Sequence, residues 1–301
     1  MKSVRNVPAS VRQRLLDLAR KDQRPFNELL QYYAIERFLY RLSLSDHSDR
    51  FILKGAVMLR VWDSPGIRPT MDIDMLGITS NKDSEIITQI RDILAVDVEP
   101  DGLDFDSGSI KSQRITEDAD YEGMRVRFQG NLEKAIIHMQ IDIGFGDVVH
   151  PEPEIHELPA LLGFPAPRLN CYSRESAIAE KLEAMVKLGI LNSRMKDFYD
   201  IWQLARLFDF DGVVLTEAIR QTFERRGTKI PTGIEAFSAS FIDSKQSQWT
   251  AFCKRLNQEH VPKKFKDIVM AVNEFLSPAI FYLSSQNLNP EKWKAPGPWK
   301  Q

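Results

Sequence analysis

Cysteine, histidine and long apolar runs are all scarce in this sequence. Only Cys171 and Cys253 occur among 301 residues, with no CxxC spacing. That excludes a disulfide framework and fits a reducing interior, where both thiols serve as buried small hydrophobes. The five histidines show no ligand spacing, which argues against zinc. No stretch approaches the roughly 18 apolar residues of a membrane span, and the opening MKSVRNVPASVRQRLLDLARKD has no apolar leader core. The expectation is a cytoplasmic protein with no membrane partner. A formal net charge of -2 excludes a cationic coat for nucleic acid and leaves only local basic patches. Internal repeats and low-complexity tracts are absent.

What is present describes an ordinary globular protein: 43% hydrophobic and 27% charged residues, enough for one large or two modest domains. Residues 1–45 read as a helical pair, with Ser10 capping the first helix and Leu29, Tyr33, Ile35, Phe38 and Leu39 recurring in the second. Residues 46–165 carry a different grammar. RFILKGAVMLRVW begins extended, turns at Gly55 and continues as a short helix. MDIDMLGI, GMRVRFQG and AIIHMQIDIGFGD alternate with period two, as half-buried strands do, and NKDSEIITQIRDILAV supplies a helix. Pro151, Pro153, Pro159, Pro165 and Pro167 then forbid a continuous helix and mark a linker or wrap. Residues 166–301 are helical in pattern, with Gly189 and Gly227 as helix ends; in the tail, Trp293 and Trp299 are expected to dock on the body.

The chemistry starts at RPTMDIDMLGI. Residues i and i+2 of a strand share a face about 7 Å apart, so Asp72 and Asp74 are neighbours while Ile73 and Met75 face the core. At an effective dielectric near 20 such a pair repels by roughly 2 kcal/mol, which solvent dilutes or a bound cation reverses. In HMQIDIGFGD, Met139, Ile141 and Ile143 form one face and leave Asp142 on the other as a third carboxylate. Three strand-borne carboxylates with oxygen donors alone suit Mg2+. A solvated strand face is the bland alternative. Gly55, between a strand and a helix, permits close backbone approach and offers N–H groups to a phosphate, or is a plain connection.

Two helical stripes add charge where apolar residues belong. Lys181 falls in line with Ala177, Ile178, Leu182, Met185 and Leu188, either snorkelling to the rim or reaching a triphosphate. Arg194 lies within the stripe of Phe198, Ile201, Trp202, Ala205 and Phe208, three residues from Asp197, so the two can form an ion pair. Asp200 lies outside that stripe, as a partner or a solvated group.

The ordered set DRFILKGAVMLRVW, RPTMDIDM, QIDIGFG, AEKLEAMV and RMKDFYDIWQLA resembles the AbiEii/AbiGii family of nucleotidyltransferase toxins, within the DNA polymerase β-like superfamily. The likeness runs over roughly residues 30–210. It implies an α+β fold: a polymerase β-like nucleotidyltransferase domain with a small mixed sheet, N-terminal helices and a C-terminal helical domain. It also implies transfer of a nucleoside monophosphate from an NTP to RNA, at the acceptor end of tRNA, and a cognate antitoxin as partner. By residue, it carries the family's glycine turn onto Gly55 and Ala56 and the metal-binding DxD onto Asp72 and Asp74. Asp142 becomes the third carboxylate of a possible two-metal Mg2+ site. Lys181 and Asp197 join the catalytic set, and Arg194 and Asp200 with Lys181 the nucleotide-binding one. Ala56 and Val57 depart from the family's Gly-Gly or Gly-Ser followed by Thr, so backbone N–H groups would have to hold the phosphate.

Arg68 and Thr70 could support the metal strand. Arg125 and Arg127, Arg225, Arg226 and Lys229, and Lys263, Lys264 and Lys266 are basic clusters that could follow an RNA backbone or be solvated faces. The rival readings are a catalytically silent binding protein and transfer to a protein or small molecule. Asp72→Ala and Lys181→Ala are each expected to abolish transfer and leave the fold intact. Full activity of either purified variant in a labelled-NTP assay overturns the site assignment.

Overall fold

The period-two stretches pair with one another into one mixed sheet. The computed structural model describes residues 6–62, 70–117, 121–285 and 291–300, without the side chains of 116–122. The strands are β1 (Phe51–Lys54), β2 (Ile73–Gly77), β3 (Leu103–Glu117), β4 (Tyr121–Leu132), β5 (Ala135–Phe145), β6 (Glu154–Glu157) and β7 (Arg168–Cys171). Their order is β3-β4-β5-β2-β1-β7-β6. Pairing is antiparallel except at β2–β5 and β1–β7. The chain divides into two compact units, Met1–Gly146 with Glu154–Cys171, and Asp147–Pro153 with Tyr172–Gln301.

The first unit holds the sheet with α1 (Val7–Lys21), α2 (Phe26–Leu44), α3 (Met58–Val61) and α4 (Asp83–Leu94). Helix α1 starts ahead of Ser10, because the Asn6 side chain accepts from the Ala9 N–H and Pro8 is tolerated in a first turn. Helix α2 is buried almost all round, and its polar residues are pinned rather than solvated. Arg41 forks onto Asp101 at 2.7 and 3.2 Å, and the Tyr33 hydroxyl donates to the Asp101 carbonyl at 2.6 Å. Burial, with the Asp101 charge beside it, raises the Tyr33 pKa. The proline-rich stretch is more than a linker. Its prolines flank β6 and β7, two short strands on one side of the sheet, where a missing N–H costs least.

The second unit holds α5 (Arg174–Leu188), α6 (Met195–Leu207), α7 (Gly212–Arg225), α8 (Ala239–Leu256) and α9 (Phe265–Ser285). A small sheet joins β8 (Phe210–Asp211), β9 (Lys292–Trp293) and β10 (Trp299–Lys300) in the order β10-β9-β8. Ser173, Asp211 and Ser238 cap α5, α7 and α8, and Gly189 ends α5 at a φ of 47°. The core is aromatic: Phe198, Phe241, Trp249 and Phe265 pack together, and Trp293 seats on Phe275. Helix α9 corrects one expectation, since by length and composition it could cross a membrane. Its apolar stripe of Phe265, Ile268, Val272, Phe275 and Ala279 is instead buried in this unit, and charged Lys266, Asp267 and Glu274 interrupt the rest.

Trp249 is fully buried and donates its indole N–H to the Pro262 carbonyl at 2.9 Å. Trp249→Ala is therefore expected to cost about 3–5 kcal/mol in urea unfolding. Burial pushes the Cys171 thiol up to about 12. A thiol-reactive dye at pH 8 is expected to label it only after unfolding.

Candidate active site

Strand β1 ends in a turn that only glycine fits. Gly55 has a φ of 74°, and a Cβ on it would stand 2.6 Å from Asp74 Cγ. The Asp74 carboxylate is thus pressed against the bare backbone of the turn. The helix that follows is a single turn, too short for a strong dipole, so the turn's own N–H groups are what it can offer an anion. Ala56 and Val57 are buried, which places their side chains in the core.

Register builds the rest of the face. Lys54 pairs with Asp74, Asp74 with Asp142, and Asp142 with Arg125, across β1, β2, β5 and β4. Side chains directly opposite share a face, so the sheet carries a row of charges reading plus, minus, minus, plus. Arg125 forks onto both oxygens of Asp142 at 2.7 Å each. Asp72 sits half-buried just before β2, and its carbonyl accepts from the Thr70 hydroxyl at 3.2 Å. Arg68 lies outside the described residues. Gln31, buried on α2, donates to the carbonyls of Met71 and His138 at 3.0 and 3.2 Å, tying the approaches to Asp72 and Asp142 together. Sequence reading missed Lys54 and Gln31 as site-shaping residues. Lys54 was signalled by its place at a strand end before the glycine; Gln31 had no signal beyond a polar residue on an apolar helix.

No group of three or more His, Cys, Asp or Glu able to hold a metal ion is gathered among the described residues. Asp142 is turned to Arg125; Asp74 is half-buried on β2 and Asp72 half-buried just before that strand. Their donor set is all oxygen, and the missing Cβ of Gly55 makes the room that the Asp74 carboxylate occupies. Those two residues fit a hard cation such as Mg2+.

The remaining candidates belong to the second unit. Lys181 on α5 donates to Asp197 at 3.1 Å and to Asp200 at 2.8 Å, and Arg194 Nε meets Asp197 at 2.7 Å. Both carboxylates are buried, so Asp200 is a partner of the lysine rather than a solvated group. Arg194 caps α6 rather than lying inside it, and Asp197 sits in that helix's first turn, where negative charge is favoured. Lys181 and Arg194, both partly exposed, offset the two buried carboxylates, as holding charge in a core requires.

Helix α5 is gripped a second time, at Glu180 and Glu183. Arg226 reaches Asp147 at 3.0 Å, Glu180 at 3.4 Å and Glu183 at 2.9 Å, and Thr228 and Tyr172 hydroxyls donate to Glu183 and Glu180. Burial alone would lower the Arg226 pKa; the carboxylates of Glu180, Asp147 and Glu183 outweigh it and hold the guanidinium charged. Arg226 is therefore engaged within the fold and is not a free contact for RNA. Arg225, Lys263, Lys264 and Lys266 stay exposed.

A family model described as nucleotidyl transferase AbiEii toxin, type IV TA system, matches residues 37–271. No curated protein matches. Among solved structures, a crystal structure described as a "putative nucleotidyltransferase" from H. pylori aligns with a TM-score of 0.50 at 13% identity, covering 87% of this chain and 98% of that one. A second, JHP933 from Helicobacter pylori, gives 0.49 at 14% identity with the same coverage.

Gly55→Ala must shift the Asp74 carboxylate or strain the turn; nucleotide binding by calorimetry is expected to fall at least about tenfold, the scale set by placing a non-glycine residue at positive φ. The packing also changes the outcome expected for Lys181. Lys181→Ala leaves two buried carboxylates short of a cation and is expected to cost about 3–5 kcal/mol in chemical unfolding.

Proposed function

This chain belongs to the AbiEii family of nucleotidyl transferase toxins of type IV toxin–antitoxin systems, and from that premise we propose that it transfers a nucleoside monophosphate from an NTP to RNA. The acceptor is the end of tRNA, and the consequence is arrest of translation. A cognate antitoxin is its partner. One observation carries the reading: a glycine turn of positive φ seated against Asp74, in register with Asp142.

Phosphoryl-group transfer asks a protein for position and charge more than for covalent chemistry. Asp72 and Asp74 would hold Mg2+, with Asp142 as the third carboxylate of a possible two-metal set. Bound there, the ion would offset negative charge on the triphosphate. The Gly55–Ala56 turn binds phosphate oxygens through its N–H groups. The acceptor hydroxyl oxygen bonds to the α-phosphorus as the bond to pyrophosphate breaks, and its proton passes to a carboxylate of the acidic row. In the second unit Lys181, oriented by Asp197 and Asp200 while Arg194 holds Asp197, would be the lysine that offsets charge on the nucleotide.

A second reading has a specific observation behind it. Asp142 has both oxygens on Arg125, as a retired catalytic carboxylate in a binding protein would. Incubating the pure protein with Mg2+, each labelled NTP in turn, and total tRNA or total protein separates the readings. Label is expected on RNA, lost with chelator and lost in Asp74→Asn. Label on protein reassigns the acceptor; no label anywhere with folded protein favours the silent reading.

A further inference from the structure

We propose that Arg125 is a resident counter-ion for the acidic row: it holds Asp142 until a divalent cation takes that carboxylate, and the released guanidinium then serves an anion on the same sheet face. The inference rests on reading the row as a cation site, and it concerns how that site is loaded.

Parallel pairing of β2 with β5 puts Asp74 and Asp142 directly side by side, one strand spacing apart. Like charges in that relation repel, and positive charge beside them offsets the repulsion. Lys54 flanks Asp74 and Arg125 flanks Asp142. Arg125 has the geometry of a cation substitute: Nε donates to Oδ1 and Nη2 to Oδ2, both at 2.7 Å, the bidentate grip that suits carboxylates.

The pair is also built to exchange. Asp142 is 12% exposed but the Arg125 side chain is 30% exposed, so the guanidinium has solvent beside it to move into. Asp142 keeps a polar neighbour in Gln140, whose Nε2 lies 3.4 Å from Oδ2, and Gln140 is in turn held by Arg127 Nε at 3.0 Å. On the same face, Arg127 pairs across the strands with Lys111, and both are exposed. An arginine leaving Asp142 therefore stays among cations, where an anion such as a triphosphate relieves the crowding.

Two consequences follow from linkage. Divalent cation alone has to compete with Arg125 and binds weakly; with nucleotide present the arginine has another partner and the cation binds more tightly. Arg125 is thus a positioning residue that couples cation to nucleotide, and its removal strengthens one affinity while weakening the coupling.

The test is Mn2+ binding to the full chain, read as free Mn2+ by electron paramagnetic resonance, without and with a non-hydrolysable NTP analogue. Arg125→Gln is expected to bind Mn2+ alone about tenfold more tightly than wild type, the scale of one neighbouring like charge. The analogue is expected to strengthen Mn2+ binding in wild type and to do so less in the variant. Adding Asp142→Asn is expected to cancel the gain. Arg125→Lys keeps the charge and loses the fork, so it too is expected to bind Mn2+ more tightly than wild type; it carries the comparison if thermal melting shows that Arg125→Gln is unfolded. Unchanged or weaker Mn2+ binding in a folded Arg125 variant overturns the inference. If Asp72→Asn and Asp74→Asn abolish Mn2+ binding in that case, the proposed function stands without it. Absence of Mn2+ binding from wild type and every Arg125 variant overturns both.

Discussion

Two carboxylates forced side by side by a parallel strand register are the constraint around which the first unit is arranged. Asp74 and Asp142 cannot separate without breaking the β2–β5 ladder, whose flanking residues Ile73, Met75, Ile141 and Ile143 are core. The repulsion is of order 2–3 kcal/mol at an effective dielectric near 20, a large share of a typical domain's net stability. The sheet answers it with Lys54 on one side and Arg125 on the other, and Gly55 makes room for Asp74 by having no side chain. Gln31 then fixes the two strand approaches from behind.

The second unit solves a related problem differently. Asp197, Asp200 and Glu183 are buried on helices, where solvent cannot dilute them, and cations reach them directly: Lys181 and Arg194 for the two aspartates, and Arg226 for Glu183 together with the less buried Asp147 and Glu180. Such pairs contribute little net stability but are costly to break, because the desolvation of the surviving partner is left uncompensated. Residues that look dispensable on a helical wheel thereby become hard to replace.

Much of this was legible beforehand, for identifiable reasons. Period-two alternation marks β4 and β5, which bury alternate residues, and the start of β2, while Gly55 marks the end of β1. Strand β3 escaped notice because DFDSGSIKSQRITE is polar on both faces for much of its length, and β6 and β7 because four residues among prolines give no period. Helix α1 began earlier than expected because Asn6 was a better-placed acceptor than Ser10. On α6 the stripe of Phe198, Ile201, Trp202 and Ala205 is buried as expected, while Arg194 and Phe208 fall at the caps; burial extends round to Asp200 and leaves Lys196, Arg206 and Leu207 exposed.

By itself the sequence determined which residues could carry chemistry: carboxylates in and just before strands, a glycine where a strand must turn, a lysine on an apolar stripe and an arginine at a helix start. Spacing along the chain is enough for that, since strand and helix periods are local properties. Only the tertiary structure decided which charges meet. That Arg125 grips Asp142, that Arg226 is held by three carboxylates rather than left for RNA, and that Asp200 is buried against Lys181 all depend on strand register and helix packing. Those are set by long-range burial of apolar area, which no local period encodes.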